Sequence, residues 1–137
     1  MAKLTREEFF LMGVEKIKSL GYRCYQPKGD KSHTFCNITD GKNIGYMQLG
    51  EYGDCFNFGT VSKYGSQYRI MNPNEDNKYF QYEFDIEDIT KEVIELTFRN
   101  RPNWSTTDKD NVVKWNSWED FAKNSLDAKI WKEFVEL

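Results

Sequence analysis

The 137-residue sequence has one histidine, three prolines and three cysteines, and the cysteines Cys24, Cys36 and Cys55 form no CxxC or CxxH spacing. An odd cysteine count excludes complete pairing within the chain and points to a reducing compartment. With His33 as the sole histidine there is no clustered Cys/His set for zinc, and no Asp/Asn comb ends in a Glu as a calcium loop requires. No metal or cofactor is therefore expected. Gly50, Gly53 and Gly59 lack the strand, loop and helix context of a phosphate-binding loop. Apolar runs are only a few residues long, as at Phe9 to Met12, so neither a membrane span nor a signal peptide is expected. A cytoplasmic protein, in the resemblance drawn below that of a bacterial host, fits these absences. Charge of one sign is also missing: 19 Lys+Arg stand against 22 Asp+Glu, a net charge of -3. Such a balance gives no long-range attraction to a polyanion and is far too weak to imitate one.

Rings are abundant instead: 10 Phe, 8 Tyr and 4 Trp make 16% of the chain. The length suits a single domain spanning 1–137, and these rings must supply much of its core. Thr5 and Glu8 have capping-box spacing, and Phe9, Phe10, Gly13, Val14, Ile17 and Leu20 recur at helical steps until Gly21 offers a left-handed stop. From Tyr22 the period shortens. Strands are predicted at 22–26, 32–39, 43–49 and 55–62, with Asp40-Gly41 suiting a type I′ hairpin. A short extended piece at 67–71 and an aromatic strand at 78–84 follow.

Asp85 is placed to cap a second helix bearing Ile86, Ile89, Val93 and Leu96, which Arg101-Pro102 ends. Residues 103–113 read as an ordered loop. Ser117 starts helical spacing through Trp118, Phe121, Ala122 and Leu126, and Asp127 continues it through Ile130, Trp131, Phe134 and Val135, as one helix or two. The order helix, antiparallel strands, helices predicts an α+β fold: an N-terminal helix, a central antiparallel meander of about five strands, and C-terminal helices on one face or end.

Nucleophilic chemistry finds little support, because His33 and Cys36 are three apart on a predicted strand and point to opposite faces. A small hydrolase or nuclease would need Asp40, Glu51, Asp54 and His33 to converge. Single-stranded nucleic-acid binding is the second reading: Phe56 and Phe58 share one strand face, with Lys42, Lys63 and Arg69 for phosphates. Protein binding is the leading one. Tyr46, Tyr52, Tyr64 and Trp104 lie in or near turns or in a Gly-flanked strand and are candidate anchors. Residues 75–95 carry eight carboxylates against Lys78 and Lys91, so Glu75, Asp76, Glu87 and Asp88 are candidates for meeting a basic surface. An exposed edge strand would also permit a homodimer.

The segment Thr39-Asp40-Gly41-Lys42-Asn43-Ile44-Gly45-Tyr46-Met47-Gln48, with Phe56-Asn57-Phe58-Gly59-Thr60-Val61-Ser62-Lys63, resembles a recurring pattern in small accessory proteins of tailed bacteriophages and prophages. The chain departs from that pattern after Lys63, where Tyr64-Gly65-Ser66 replaces a Pro/Gly/Thr-rich loop. The resemblance carries no catalytic residue. It implies a non-catalytic protein that binds a host protein or ribonucleoprotein complex stoichiometrically, as an inhibitor of the anti-CRISPR or anti-restriction kind.

Overall fold

A computed structural model describes residues 4–30, 32–62, 65–74, 82–99 and 115–137. The α+β architecture is as expected, with an N-terminal helix, an antiparallel sheet and C-terminal helices. Helix α1 spans Arg6–Ser19. Both halves of its capping box form: Thr5 Oγ1 accepts from Glu8 N, and Thr5 N donates to Glu8 Oε1, each at 3.0 Å. Gly21, at φ +99°, ends it as the spacing predicts.

The meander follows as β1 (Arg23–Pro27), β2 (Phe35–Thr39), β3 (Ile44–Leu49), β4 (Phe56–Ser62) and β5 (Gly65–Arg69), each antiparallel to the next. Strand β6 (Phe134–Glu136) then pairs with the free side of β1, so the sheet order is β5-β4-β3-β2-β1-β6. This corrects the helical reading of Phe134 and Val135. Helix α4 stops at Trp131, and Lys28 N donates to Glu133 O at 2.9 Å, which draws the segment onto β1.

Three further expectations are revised. The β2–β3 hairpin has a four-residue loop, and of Asp40 and Gly41 only Gly41 has positive φ. The reason is that the Asp40 carboxylate accepts from Lys42 N and Asn43 N, organising the turn through a side chain. Asp85 caps a single 3-10 turn, Ile86–Asp88, whereas α2 is Lys91–Thr97, capped separately by Thr90. The extended backbone of Ile89 separates them. Of the strand predicted at 78–84, residues 78–81 lie outside the described residues, and Phe84 makes one isolated bridge to Phe56. The predicted stop at Arg101-Pro102 and the loop at 103–113 likewise lie outside the described residues.

Side chains alternate across the sheet. One face carries Cys24, Cys36, Ile38, Met47, Leu49, Phe56 and Phe58, buried under α1, the 3-10 turn and α2. Phe9 of α1 stacks on Phe56 with centroids 4.5 Å apart and planes 6° from parallel. The other face bears Tyr25, Ile44, Val61 and Phe134 beneath α3 (Trp118–Asn124). There Tyr25 stacks on Trp118 at 4.3 Å, and Trp118 N donates to Gly41 O, holding α3 over the hairpin end of the sheet. The C-terminal helical segment is two helices, because buried Ser125 ends α3 and its Oγ accepts from Ala128 N to start α4 (Leu126–Trp131).

Candidate functional site

Among the described residues, α3 covers only the hairpin end of the second face, which leaves the opposite end open beside α4. Phe35 and Gln48 are register partners there, in β2 and β3. With Pro27 and Asp30 of the β1–β2 turn, and Trp131 and Phe134 beyond α3, they line a cleft of about 310 Å³ that Asn37 and Asp127 complete.

Above the cleft, α4 turns an apolar ridge to solvent. Ile130 is 68% exposed, Trp131 48% and Leu126 36%, while Ala128 on the inward side is buried. Six residues make under two helical turns, and the helix packs chiefly against α3. The sequence pattern sets Ile130 and Trp131 in one helix with Phe134 and Val135, by their spacing. What turns them outward is the conversion of that next stretch to strand, for which the alternation Glu133-Phe134-Val135-Glu136 is the available signal. The crossing from α4 to β6 is abrupt. Lys132 has φ +67° and ψ -45°, and Glu133 N donates to Trp131 O at 2.8 Å across it, a classic γ-turn of a strained kind. Lys28 Nζ meets Glu133 Oε2 at 2.9 Å just beyond.

A second cleft, about 550 Å³, lies at the loop between β3 and β4, where Glu51, Tyr52, Asp54, Cys55, Arg69 and Glu83 face it. Tyr52 lines it and is 83% exposed. Burial, followed by the carboxylates of Glu83, Asp54 and Asp85, pushes the Cys55 thiol up to about 11. Such a thiol is a poor nucleophile at neutral pH. Cys36 and Cys24 are wholly buried, and their mutual hydrogen bond, burial and charge hold the Cys36 thiol well above its ordinary value.

The other residues singled out in the sequence divide clearly. Phe56 and Phe58 are both 0% exposed, so neither can stack on a base; their face is the core face, covered by α1 and α2. Lys42 is exposed in the β2–β3 turn, at the opposite end of β3 from the loop that holds Glu51. Tyr46 is only 3% exposed and does not serve as an anchor in this form: it stacks on Phe35 at 5.6 Å, and its hydroxyl, raised to about 12 by burial, bonds Arg69. Arg69 is thereby committed to the sheet surface. Asp88 is also structural, its Oδ2 accepting from Asp85 N at 2.8 Å, while Glu87 is exposed. Lys63, Tyr64, Glu75, Asp76 and Trp104 lie outside the described residues.

Asp40, Glu51, Asp54 and His33 do not converge. Asp40 is in the hairpin turn, whereas Glu51 and Asp54 follow the far end of six-residue β3, roughly 20 Å of strand away. His33 precedes β2 rather than lying in it, at φ +51°, with Nδ1 3.2 Å from Glu7 Oε1. Among the described residues, no group of three or more His, Cys, Asp or Glu is placed to hold a metal ion. Nor is any described helix long and apolar enough to cross a membrane. Comparison with protein-family models, with curated proteins and with solved structures gives no match.

Proposed function

We propose that this protein acts by binding another protein in fixed stoichiometry, through the ridge of α4 and the cleft beneath it. The observation that carries this reading is the exposure of Leu126, Ile130 and Trp131 side by side on one short helix. Large apolar groups clustered in water are characteristic of interaction surfaces, and tryptophan is among the residues most enriched at interface hot spots. A γ-turn and the backbone bond from Lys28 N to Glu133 O hold the C-terminal end of the ridge beside β1. Docking then orders little further chain, which lowers the entropy cost of association. The finer reading, an inhibitor or modulator of a bacterial host enzyme or defence complex, is supported by the resemblance carried by residues 39–48 and 56–63.

Affinity capture from bacterial lysate with wild-type protein and with the Leu126→Ser/Ile130→Ser variant tests the proposal. Wild type should retain a partner that co-elutes with it at 1:1 in size exclusion, and the variant, folded by circular dichroism, should lose at least about tenfold in affinity, the loss expected from one or two hot-spot side chains. Equal retention by both proteins removes α4 from the interface. Turnover of a substrate with no captured protein overturns the proposal altogether.

A further inference from the structure

We infer that β6 exchanges between two copies of this chain, each copy's β6 pairing with the other's β1 and Lys132 serving as the hinge. The partner is a second copy, and the inference stands apart from the docking reading above. Two observations at one place carry it: a strained one-residue hinge and the exposed apolar side chains beside it. Lys132 sits at φ +67° and ψ -45°, and its turn is closed by Glu133 N donating to Trp131 O at 2.8 Å. A short hinge held under strain favours exchange, because opening it releases the strain while the exchanged element makes the same contacts on the second copy.

The contacts of β6 can be exchanged whole. Among the described residues its backbone pairs with β1 alone, in the register Tyr25↔Glu136, Gln26↔Val135 and Pro27↔Phe134. Lys28 N to Glu133 O and Leu137 N to Cys24 O close the two ends of this pairing. Phe134 sets its ring against Trp118 and Phe121, with centroids 5.3 and 6.2 Å apart. Each of these contacts re-forms on the second copy, so exchange alters only the hinge and what the hinge brings together. An extended residue reaches only about 3.5 Å. A one-residue hinge therefore makes the two α4 C-terminal ends meet at the two-fold axis. Ile130, 68% exposed, and Trp131, 48% exposed, then cover their counterparts, an apolar burial the single chain lacks. Where the docking reading also holds, the exchanged dimer is the form with its docking face covered.

Size exclusion with light scattering, after refolding of the whole chain from urea at high protein concentration, should show a dimer that persists on dilution, because return requires β6 to leave β1. Lys132→Gly, which relieves the turn in the closed chain, should lower the dimerisation constant at least about tenfold, since the relief acts in both chains. Two further variants, Lys28→Cys and Glu133→Cys, each also carrying Cys55→Ser, separate exchange from side-by-side association. Their positions face each other as an exposed ion pair, Nζ to Oε2 2.9 Å, so neither substitution costs the fold much. Unfolded together, refolded and oxidised with glutathione disulfide, the mixture should give a covalent heterodimer that neither variant gives alone in comparable yield. A chain that stays monomeric, a dimer that Lys132→Gly leaves unchanged, or a dimer without the covalent product overturns the inference. None of these results touches the docking reading, which capture with Leu126→Ser/Ile130→Ser tests separately.

Discussion

Gly13 of α1 lies directly against the ring of Phe56, with no room for a methyl group between helix and sheet. This contact sets how closely α1 approaches the core face, and so how Phe9 reaches its stacked position on Phe56. Exchanging a helical glycine for alanine ordinarily adds about 1 kcal/mol of stability. Forcing a methyl into a packed core costs about 1–3 kcal/mol. A methyl there would come within 2.5 Å of the ring, which calls for the upper part of that cost, so Gly13→Ala should lower stability by about 1–2 kcal/mol, read from the urea midpoint, and the loss should shrink in a Phe56→Leu background. An unchanged or higher midpoint refutes the close approach.

The γ-turn at Lys132 predicts the opposite sign. Holding a non-glycine residue at such angles costs about 1–3 kcal/mol, and glycine relieves that at an entropy cost of about 0.5–1 kcal/mol in the unfolded chain. Lys132→Gly should raise stability by about 1 kcal/mol in thermal unfolding, while Lys132→Ala, which removes the charge and keeps the strain, should change little. Destabilisation by glycine contradicts the strained turn.

Cys55 should alkylate slowly. Moving a thiol from 9.0 to about 11 lowers its thiolate fraction near neutral pH by about 100-fold. Iodoacetamide labelling of native protein at pH 7.5, quantified by mass spectrometry, should lag the urea-unfolded chain by that order. Native labelling within a few-fold of the unfolded rate contradicts the burial and the carboxylate environment drawn around the thiol.

Asp40 should make part of the fold's stability depend on acid. Burial pushes its carboxyl up, but hydrogen bonds from Asn43 N and Nδ2 and from Lys42 N outweigh this and hold it below its ordinary 3.8. A depressed carboxyl stabilises fully above the unfolded value and loses that contribution as pH falls through the folded one. Asp40→Ala should thus cost stability at pH 6–7, with the difference narrowing below pH 3.8. A penalty that does not change with pH in denaturant titrations would falsify the side-chain origin of the turn.

The residues made α1 and the meander legible because their signals are local: a capping box, helical spacing, a glycine stop, then alternation. Ser117 likewise announced α3. The failures came where tertiary context decides. Phe56 and Phe58 share a strand face, but sequence does not say which face α1 will cover. The Gly-flanked position of Tyr46 suggests a surface ring, whereas the Phe35 ring and Arg69 bury it. Phe134 and Val135 fit a helix by spacing, yet the open edge of β1 offers backbone hydrogen bonds that a short amphipathic helix could not match. That same switch exposes Ile130 and Trp131, so the candidate site was legible only once the end of the chain was placed.

Hydrogen–deuterium exchange of the protein alone and in its 1:1 complex tests the docking face most directly. Protection gained on binding should concentrate in residues 126–135, together with the β1–β2 turn at 27–30. Protection confined to the outer side of α1 or to the loop at 50–55, with 126–135 unchanged, contradicts it.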